Sequence, residues 1–268
     1  MDKSVLIVGY GVVGHNLASE LVDLHPDVYD IKFTGETRSR SHYDFAFICV
    51  DTPATEKSYC DVCSVIQAIR DNDADIYVIK STVLPGVIGA LKMLPGLEGK
   101  HLVFSPEYYG GTQHCNNFDF DFTILGGDRE DCLKVQQLLQ GVYDGRHIFR
   151  ITDDMTACLA KYMENCWLAT KVSFCNQFYE VAKNLKLSYE ELRELFVLDP
   201  RVNPSHTFVY EDHPYWESHC LNKDVPAIAK LFGMPFMVNV IEYNESQKEK
   251  YKKGCKDEPQ PGKDKEDK

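Results

Sequence analysis

The stretch TDDMTACLAKYMENCWLATKVSFCNQFYEVAKNLKL, Thr152 to Leu187, contains neither glycine nor proline and predicts one long helix. Thr152 and Asp153 can cap its start, Asp153 and Asp154 suit the positive end of the macrodipole, and Lys183 and Lys186 suit the negative end. At 1.5 Å per residue such a helix reaches roughly 50 Å, the width of a domain, so it connects the segments on either side of it. Lys161 and Asn165 are one turn apart and project from one face, among Ala157, Leu168 and Ala169. A polar pair among small and apolar neighbours calls for a function.

Upstream, strands and helices alternate. Ser4 to Val8 is an apolar run that ends in Gly9-Tyr10-Gly11-Val12-Val13-Gly14, and Val13, Leu17, Leu21 and Leu24 come next at helical spacing. Strand, glycine turn and helix in that order give the glycines separate tasks: a tight turn, backbone approach to a pyrophosphate, and close packing of helix on strand. A second strand, Val28 to Phe33, carries Asp30, where a carboxylate can take the hydroxyls of an adenosine ribose and favour NAD over NADP. A surface Asp in a turn is the plain alternative, and Arg38 and Arg40 leave room for a phosphate. Phe45 to Val50 and Ile76 to Ile79 read as buried strands around a helix from Val62 to Arg70. Their ends, Asp51-Thr52-Pro53 and Lys80-Ser81-Thr82, lie at the carboxyl edge where open α/β sheets bind ligands. Leu102 to Phe104 runs into Ser105-Pro106-Glu107. Phe122 to Leu125 precedes Gly126-Gly127 and a helix from about Asp131 to Leu139, and His147 to Ile151 leads into the long helix.

Downstream the pattern is all helical. Ser188 to Glu191 is a capping box for a helix that Asp199-Pro200 closes. Asp224 can cap a helix ended by Gly233, and Pro235 opens the last one. From Glu245 onward the chain is charged and nearly devoid of apolar residues, which predicts a disordered tail. The expected fold class is α/β: a doubly wound Rossmann-type domain over 1–150, an all-helical domain over 151–245, and a charged tail over 246–268.

The totals narrow the function. The 268 residues, 44% of them hydrophobic, suffice for two packed domains. A formal net charge of −12 disfavours nucleic acid and anionic membranes as partners and favours small-molecule chemistry. No run approaches the roughly 20 apolar residues of a membrane span, and the chain enters its first strand directly, so a cytoplasmic protein is expected. Most of the ten cysteines fall in apolar periodic runs and read as core residues. Cys60 and Cys63 form a C-x-x-C that reads as helix packing or, less simply, as a redox pair; no second pair completes a tetrahedral site, so no metal is expected.

In order along the chain, the glycine turn, the Thr52-Pro53 turn, Lys80-Ser-Thr-Val83, Ser105-Pro-Glu-Tyr108, the Lys161/Asn165 helix, Asp199-Pro-Arg201, and Cys220 with Lys223-Asp224 after it resemble the UDP-glucose/GDP-mannose 6-dehydrogenase family over nearly residues 1 to 250. The resemblance implies oxidation of a sugar C6 alcohol to a carboxylate by two hydride transfers to NAD⁺ through a cysteine thioester. It makes Cys220 the nucleophile, because a thiolate adds to an aldehyde and later leaves when water attacks. It makes Lys161 and Asn165 the stabilisers of the alkoxide, Asp224 the acid/base that handles a water, and Thr52 and Glu107 residues that order it. NAD would contact Gly9, Gly11, Val12, Val13, Gly14, Asp30, Val50, Thr52, Ser81, Thr82 and Lys223. The nucleotide sugar would meet Glu107, Tyr108, Lys161, Asn165, Arg201 and Tyr215, with Arg201 reaching it from a neighbouring subunit. A homodimer through the long helix is implied, with Trp167, Phe174 and Phe178 on its outer side.

This chain also departs from the pattern. The family's glycines before the cysteine are replaced by Tyr215-Trp216-Glu217-Ser218-His219, a second glutamate by Gly111, and an arginine before the Gly-Gly by Phe122. A helical insertion after the second strand is nearly absent, and the family's C-terminal nucleotide-binding domain does not come after residue 250, so a shortened member is expected. Tyr210, Tyr215 and Trp216 offer themselves as a substitute platform for a base or sugar. A catalytically impaired NAD sensor or scaffold, or a dehydrogenase of a smaller alcohol, is the alternative reading; retention of Cys220, Lys161, Asn165 and Asp224 together favours the enzyme.

Overall fold

The computed structural model describes residues 3–32, 38–55, 60–108 and 120–257. The chain forms two compact units, Met1–Glu164 and Asn165–Lys268, so the division falls inside the long helix rather than at about residue 150. The expected end of the second strand at Phe33, the replaced glutamate at Gly111 and the last residues of the tail lie outside the described residues.

The first unit is a seven-stranded sheet in the order β2-β1-β3-β4-β5-β6-β7. Its strands are β1 (Val5–Val8), β2 (Asp27–Tyr29), β3 (Tyr43–Ile48), β4 (Ala74–Ile79), β5 (His101–Phe104), β6 (Phe122–Gly127) and β7 (Ile148–Thr152). Between them run α1 (Val12–Glu20), α2 (Cys63–Asp71), α3 (Val87–Leu91) and α4 (Arg129–Gln140), and α5 (Asp154–Leu185) comes after β7. Pairing is parallel from β2 to β5 and between β6 and β7, whereas β5 and β6 run antiparallel. Side chains alternate across each strand. Leu6, Val8, Ala46, Ile48, Tyr77 and Ile79 therefore point to one face, with Val65 and Ile69 of α2. Val5, Ile7, Phe45, Phe47, Ile76 and Val78 point to the other, with Leu17 of α1 and Val135 and Leu139 of α4. Both faces are dry, which is why the strands read as continuous apolar runs. The start of α5 is seated on β6 at Gly126, where an added Cβ would lie 2.5 Å from Ala157 Cβ.

The second unit contains the rest of α5 together with α6 (Tyr189–Phe196), α7 (His219–Phe232) and α8 (Pro235–Asp257). Asp153 caps α5, its carboxylate accepting from the Thr156 amide at 2.8 Å and from the Thr156 hydroxyl at 2.7 Å. The helix ends without glycine: Lys186 takes φ 60°, and the Leu187 amide returns to the Ala182 carbonyl at 2.9 Å. Ser188 caps α6 as the sequence predicts. Two expectations are corrected. The cap of α7 is Ser218, not Asp224, which lies in mid-helix and is fully buried. The charged segment after Glu245 is helical through Asp257, because the Glu180 carboxylate of α5 takes a lysine ammonium from Lys250 and the Tyr251 hydroxyl at 2.6 Å. Tertiary pairing thus holds a segment whose composition alone would not. No helix among the described residues is long and apolar enough to cross a membrane.

Candidate active site

In the first unit the order β2-β1-β3 places the reversal of winding between β1 and β3, and ligands of doubly wound sheets sit outside the carboxyl ends of the strands at that point. The turn after β1 is built for such an approach. Gly9 has φ 93°, and a Cβ there would lie 2.8 Å from the Cys49 carbonyl oxygen at the end of β3. A Cβ on Gly14 would stand 1.9 Å from the Gly9 carbonyl oxygen, so α1 can pack on the turn only with glycine there. Gly11 differs: its Cβ would meet nothing within 4 Å, and as N-cap of α1 it offers no side chain to the first amides of the helix. Val12 beside it is 76% exposed, and Val13 is half-buried. Open space in front of uncapped helical amides is a cradle for a pyrophosphate, so the residues present fit the dinucleotide that the sequence implies.

Asp30 comes directly after β2 and braces this turn. Its carboxylate accepts from the Tyr10 amide at 2.7 Å and from the Lys32 amide at 2.7 Å, and a carboxylate retains lone pairs for a ribose after two such bonds. Arg38 lies 4.2 Å from the Tyr29 ring centroid and donates to Asn72 Oδ1 at 3.2 Å.

The ends of β3 and β4 are tied together. Buried Thr52 donates its hydroxyl to the Thr82 carbonyl at 2.9 Å, and Ser81 donates to the Val50 carbonyl at 2.6 Å. Thr52 therefore keeps only acceptor capacity for a ligand or water. Beneath them the Lys80 ammonium contacts the Glu107 carboxylate and donates to Ser105 Oγ at 3.3 Å. Burial pushes Lys80 down to about 8; the Glu107 carboxylate pulls the other way, and because that contact is direct we take Lys80 to be charged at neutral pH. Tyr108, next along, lies with its ring centroid 4.4 Å from Lys161 Nζ, and Lys161 donates to Glu164 Oε2 at 2.6 Å. Burial, then the Glu164 charge, pushes the Tyr108 phenol well above its ordinary range. Lys161 is thus a buried ammonium held by an aromatic face and one carboxylate.

The second unit carries the remaining residues. Asn165 of α5 donates its amide to Asp224 Oδ2 at 2.8 Å, and Lys223 donates to Asp224 Oδ1 at 2.7 Å. All three are buried, Asp224 completely. The structure thus commits the Lys223 ammonium to Asp224, and the carboxylate is charge-compensated rather than open to bulk water. Cys220 precedes Asp224 by one helical turn, in the first turn of α7, and is exposed. The positive end of the helix suits an anionic sulfur there. Arg201 forms a bidentate pair with Asp199 and its side chain is 88% exposed. Tyr215 is half-buried and lies 6.1 Å from the His213 ring, which stacks on Tyr210 at 5.0 Å. Trp216 is not part of an aromatic platform: it is buried and donates its indole N–H to Ser173 Oγ at 3.0 Å.

Glu164 is the neighbour of the expected site that sequence reasoning missed, although its i,i+3 spacing from Lys161 on one helix is a signal that could have found it. Lys80 stands in the turn that the sequence placed at the ligand-binding edge, but its partner Glu107 is set by the fold. Cys63, read as helix packing, is exposed at the start of α2, while Cys60 Sγ lies 3.4 Å from the Tyr162 hydroxyl. Cys49, Cys132, Cys158, Cys166 and Cys175 are buried, as the apolar periodicity predicts.

Residues 155–246 match the model of the UDP-glucose/GDP-mannose dehydrogenase family, central domain. The chain is 26% identical to a GDP-mannose 6-dehydrogenase of Pseudomonas syringae pv. tomato, over 89% of this chain and 64% of that protein. It is 25% identical to a UDP-glucose 6-dehydrogenase of Rickettsia prowazekii, over 75% of this chain and 48% of that protein. It therefore spans about two thirds or less of the length of these relatives. Among solved structures, a UDP-glucose dehydrogenase from Pyrobaculum islandicum superposes with a TM-score of 0.74 at 21% identity, covering 92% of this chain and 68% of that one, which establishes a shared fold. The matched segment contains Lys161, Asn165, Arg201, Cys220 and Asp224, and over it the chain is similar to the central domain of the UDP-glucose/GDP-mannose dehydrogenase family.

Proposed function

We propose that the chain is an NAD-dependent nucleotide-sugar 6-dehydrogenase that converts a C6 alcohol to the uronic acid through a thioester on Cys220, with UDP-glucose as the substrate to test first. The observation that carries this reading is the buried Asn165–Asp224–Lys223 network one helical turn below an exposed cysteine, inside the segment that matches the family's central domain. A scaffold has no physical need to bury a carboxylate with two donors under a thiol.

Bound at the glycine turn, NAD⁺ supplies the hydride acceptor, and Asp30 favours it over a dinucleotide whose 2′-phosphate would repel a carboxylate. Lys161 places positive charge where the alcohol oxygen becomes an alkoxide, and Asn165 contributes an amide donor held in place by Asp224. The first hydride leaves C6 and the alcohol proton passes to a base, giving an aldehyde. The Cys220 thiolate adds to that carbon, and transfer of a second hydride to a second NAD⁺, taken up after the first NADH departs, leaves a thioester. Water then attacks, its proton going to a carboxylate, and the carbon–sulfur bond breaks to release a carboxylate and the thiol. Glu107, partly open to solvent, is the carboxylate we assign to that water, with Thr52 as its acceptor and Asp224 as the fixed charge behind Asn165.

Two chains are proposed to pair along α5. Met155, Leu159, Met163, Trp167, Phe174 and Phe178 succeed one another at four- and seven-residue steps and are all exposed, a stripe larger than a monomer ordinarily leaves to water. A cytoplasmic location accords with this chemistry, which draws on soluble NAD⁺ and a soluble sugar nucleotide. The test is Cys220→Ala: it should bind NAD⁺ as the parent does and form no uronic acid, whereas full activity would end the thioester assignment.

A further inference from the structure

The segment that leads into Cys220 is held from outside by a device that the chemistry itself does not use. Both backbone groups of Trp216 are held by one side chain of α8: Asn244 Oδ1 accepts from the Trp216 amide at 2.8 Å, and Asn244 Nδ2 donates to the Trp216 carbonyl at 3.0 Å. Asn244 is 1% exposed and Trp216 is 4% exposed, so neither bond competes with water. The indole is fixed in turn by Ser173 of α5, itself buried. The next residue, Glu217, takes Lys248 at 2.6 Å, one turn further along α8 than Asn244, and Lys252 at 3.5 Å one turn beyond that. Ser218 then caps α7, accepting from the Leu221 amide at 3.0 Å, and Cys220 sits in that first turn. Three consecutive residues are therefore anchored immediately before the helix that presents the thiol.

A buried amide that pairs with both the N–H and the C=O of one residue ties the two peptide groups that flank its Cα, and so holds that residue's φ and ψ as well as its position. Nothing in the packing of Trp216 requires it, since the ring is already buried and bonded through Ser173. A residue held at one φ and ψ two positions before a helix cap sets the direction in which the helix starts, and so the place of its first-turn side chains. We propose that Asn244 is a positioning residue for Cys220: its clamp on the Trp216 backbone sets the start of α7 and thereby holds the first-turn sulfur in its reactive place. The proposal rests on Cys220 being the nucleophile for its consequence in turnover, but the placement of the sulfur is measurable without turnover.

The experiment compares the whole chain with Asn244→Ala, Asn244→Asp and Trp216→Phe, each read well below its own melting temperature. Alkylation of Cys220 by iodoacetamide is monitored by mass spectrometry of the Cys220 peptide from pH 6 to 9. With Asn244→Ala the rate constant at pH 7 should fall about tenfold, with its midpoint displaced to higher pH, because the sulfur leaves the positive end of α7. Asn244→Asp keeps the acceptor for the Trp216 amide, loses the donor to its carbonyl, and should fall between; it carries the test if Asn244→Ala does not fold. Trp216→Phe keeps the clamp and removes only the indole bond, so its alkylation should stay within about twofold of the parent. Where nucleotide-sugar oxidation is measured, kcat should fall with Asn244→Ala while KM for the sugar and NAD⁺ affinity hold. Folded Asn244 variants with the parent's alkylation rate and pH profile would overturn the proposal and leave Asn244 a purely structural residue. Full turnover in Cys220→Ala would instead overturn the thioester reading, and the alkylation result would still decide the positioning.

Discussion

At the residue scale the glycine turn separates a folding requirement from a binding one. Gly14→Ala would put a methyl 1.9 Å from the Gly9 carbonyl oxygen and should destabilise the first unit by several kcal/mol, read as a fall in melting temperature. Gly11→Ala meets nothing within 4 Å, so the fold should keep its melting temperature while NAD⁺ affinity drops at least tenfold. Equal losses of stability in both variants would contradict this division of labour. At the same turn, Asp30 should give NAD⁺ a preference over NADP⁺ of at least about tenfold, or 1.4 kcal/mol. Equal affinities in a titration would remove Asp30 from the ribose and point to Arg38, which stands on the Tyr29 ring. The turn at these glycines and the Asp30 that braces it were legible in the sequence because the turn's geometry depends on neighbours in the chain. Lys80 and Asp224 were marked by their motifs, but their partners were not legible, because each lies far along the chain: Glu107 for the one, Asn165 for the other. Read locally, Asp224 passes for a helix cap; only tertiary structure shows it in mid-helix with no exposed surface.

At the scale of elements, β1 and β3 must stay paired for the nucleotide crevice to exist, and Asp44 fastens their far end. Burial pushes its carboxyl up, but hydrogen bonds from Lys3 at 2.7 Å and from the Ser4 amide and hydroxyl at 2.8 and 2.7 Å outweigh that and hold it well below the usual carboxylate range. A carboxylate depressed by folding contributes stability above its unfolded value, near 3.9, and that contribution is lost as the pH falls through the folded value. Asp44→Asn should therefore lower the stability of the first unit by roughly 1 kcal/mol at pH 7, and parent and variant should converge as the pH drops below about 4. A difference that widens on acidification would mean the charge is not what Asp44 contributes. Strands and helices were legible by period, and their ends shifted by only a few residues. The start of α8 at Pro235 was legible, but its continuation past Glu245 was not: a run of lysines and glutamates has no apolar stripe, and that part of the helix is held by Glu180 and Glu217, which no local pattern reveals.

At the scale of the whole molecule, alternation of strand and helix up to Ile151 and helices alone beyond it made the α/β-then-helical plan legible, whereas the antiparallel turn of β6 against β5 was not, because strand direction leaves no trace in a short apolar run. The α5 stripe carries its own expectation. Light scattering at micromolar concentration should give the mass of a dimer, and Trp167→Glu combined with Phe174→Glu should give a monomer that keeps its helical content. A monomeric parent would refute the pairing. The central claim is four-electron oxidation of a nucleotide sugar, and it is tested most directly by counting NADH formed per molecule of UDP-glucose, or of the other sugars in a panel, consumed to completion. The predicted result is two NADH per sugar with a uronic acid as product; one NADH per molecule with an aldehyde as product, or no NADH from any nucleotide sugar by a protein that binds NAD⁺, would contradict it.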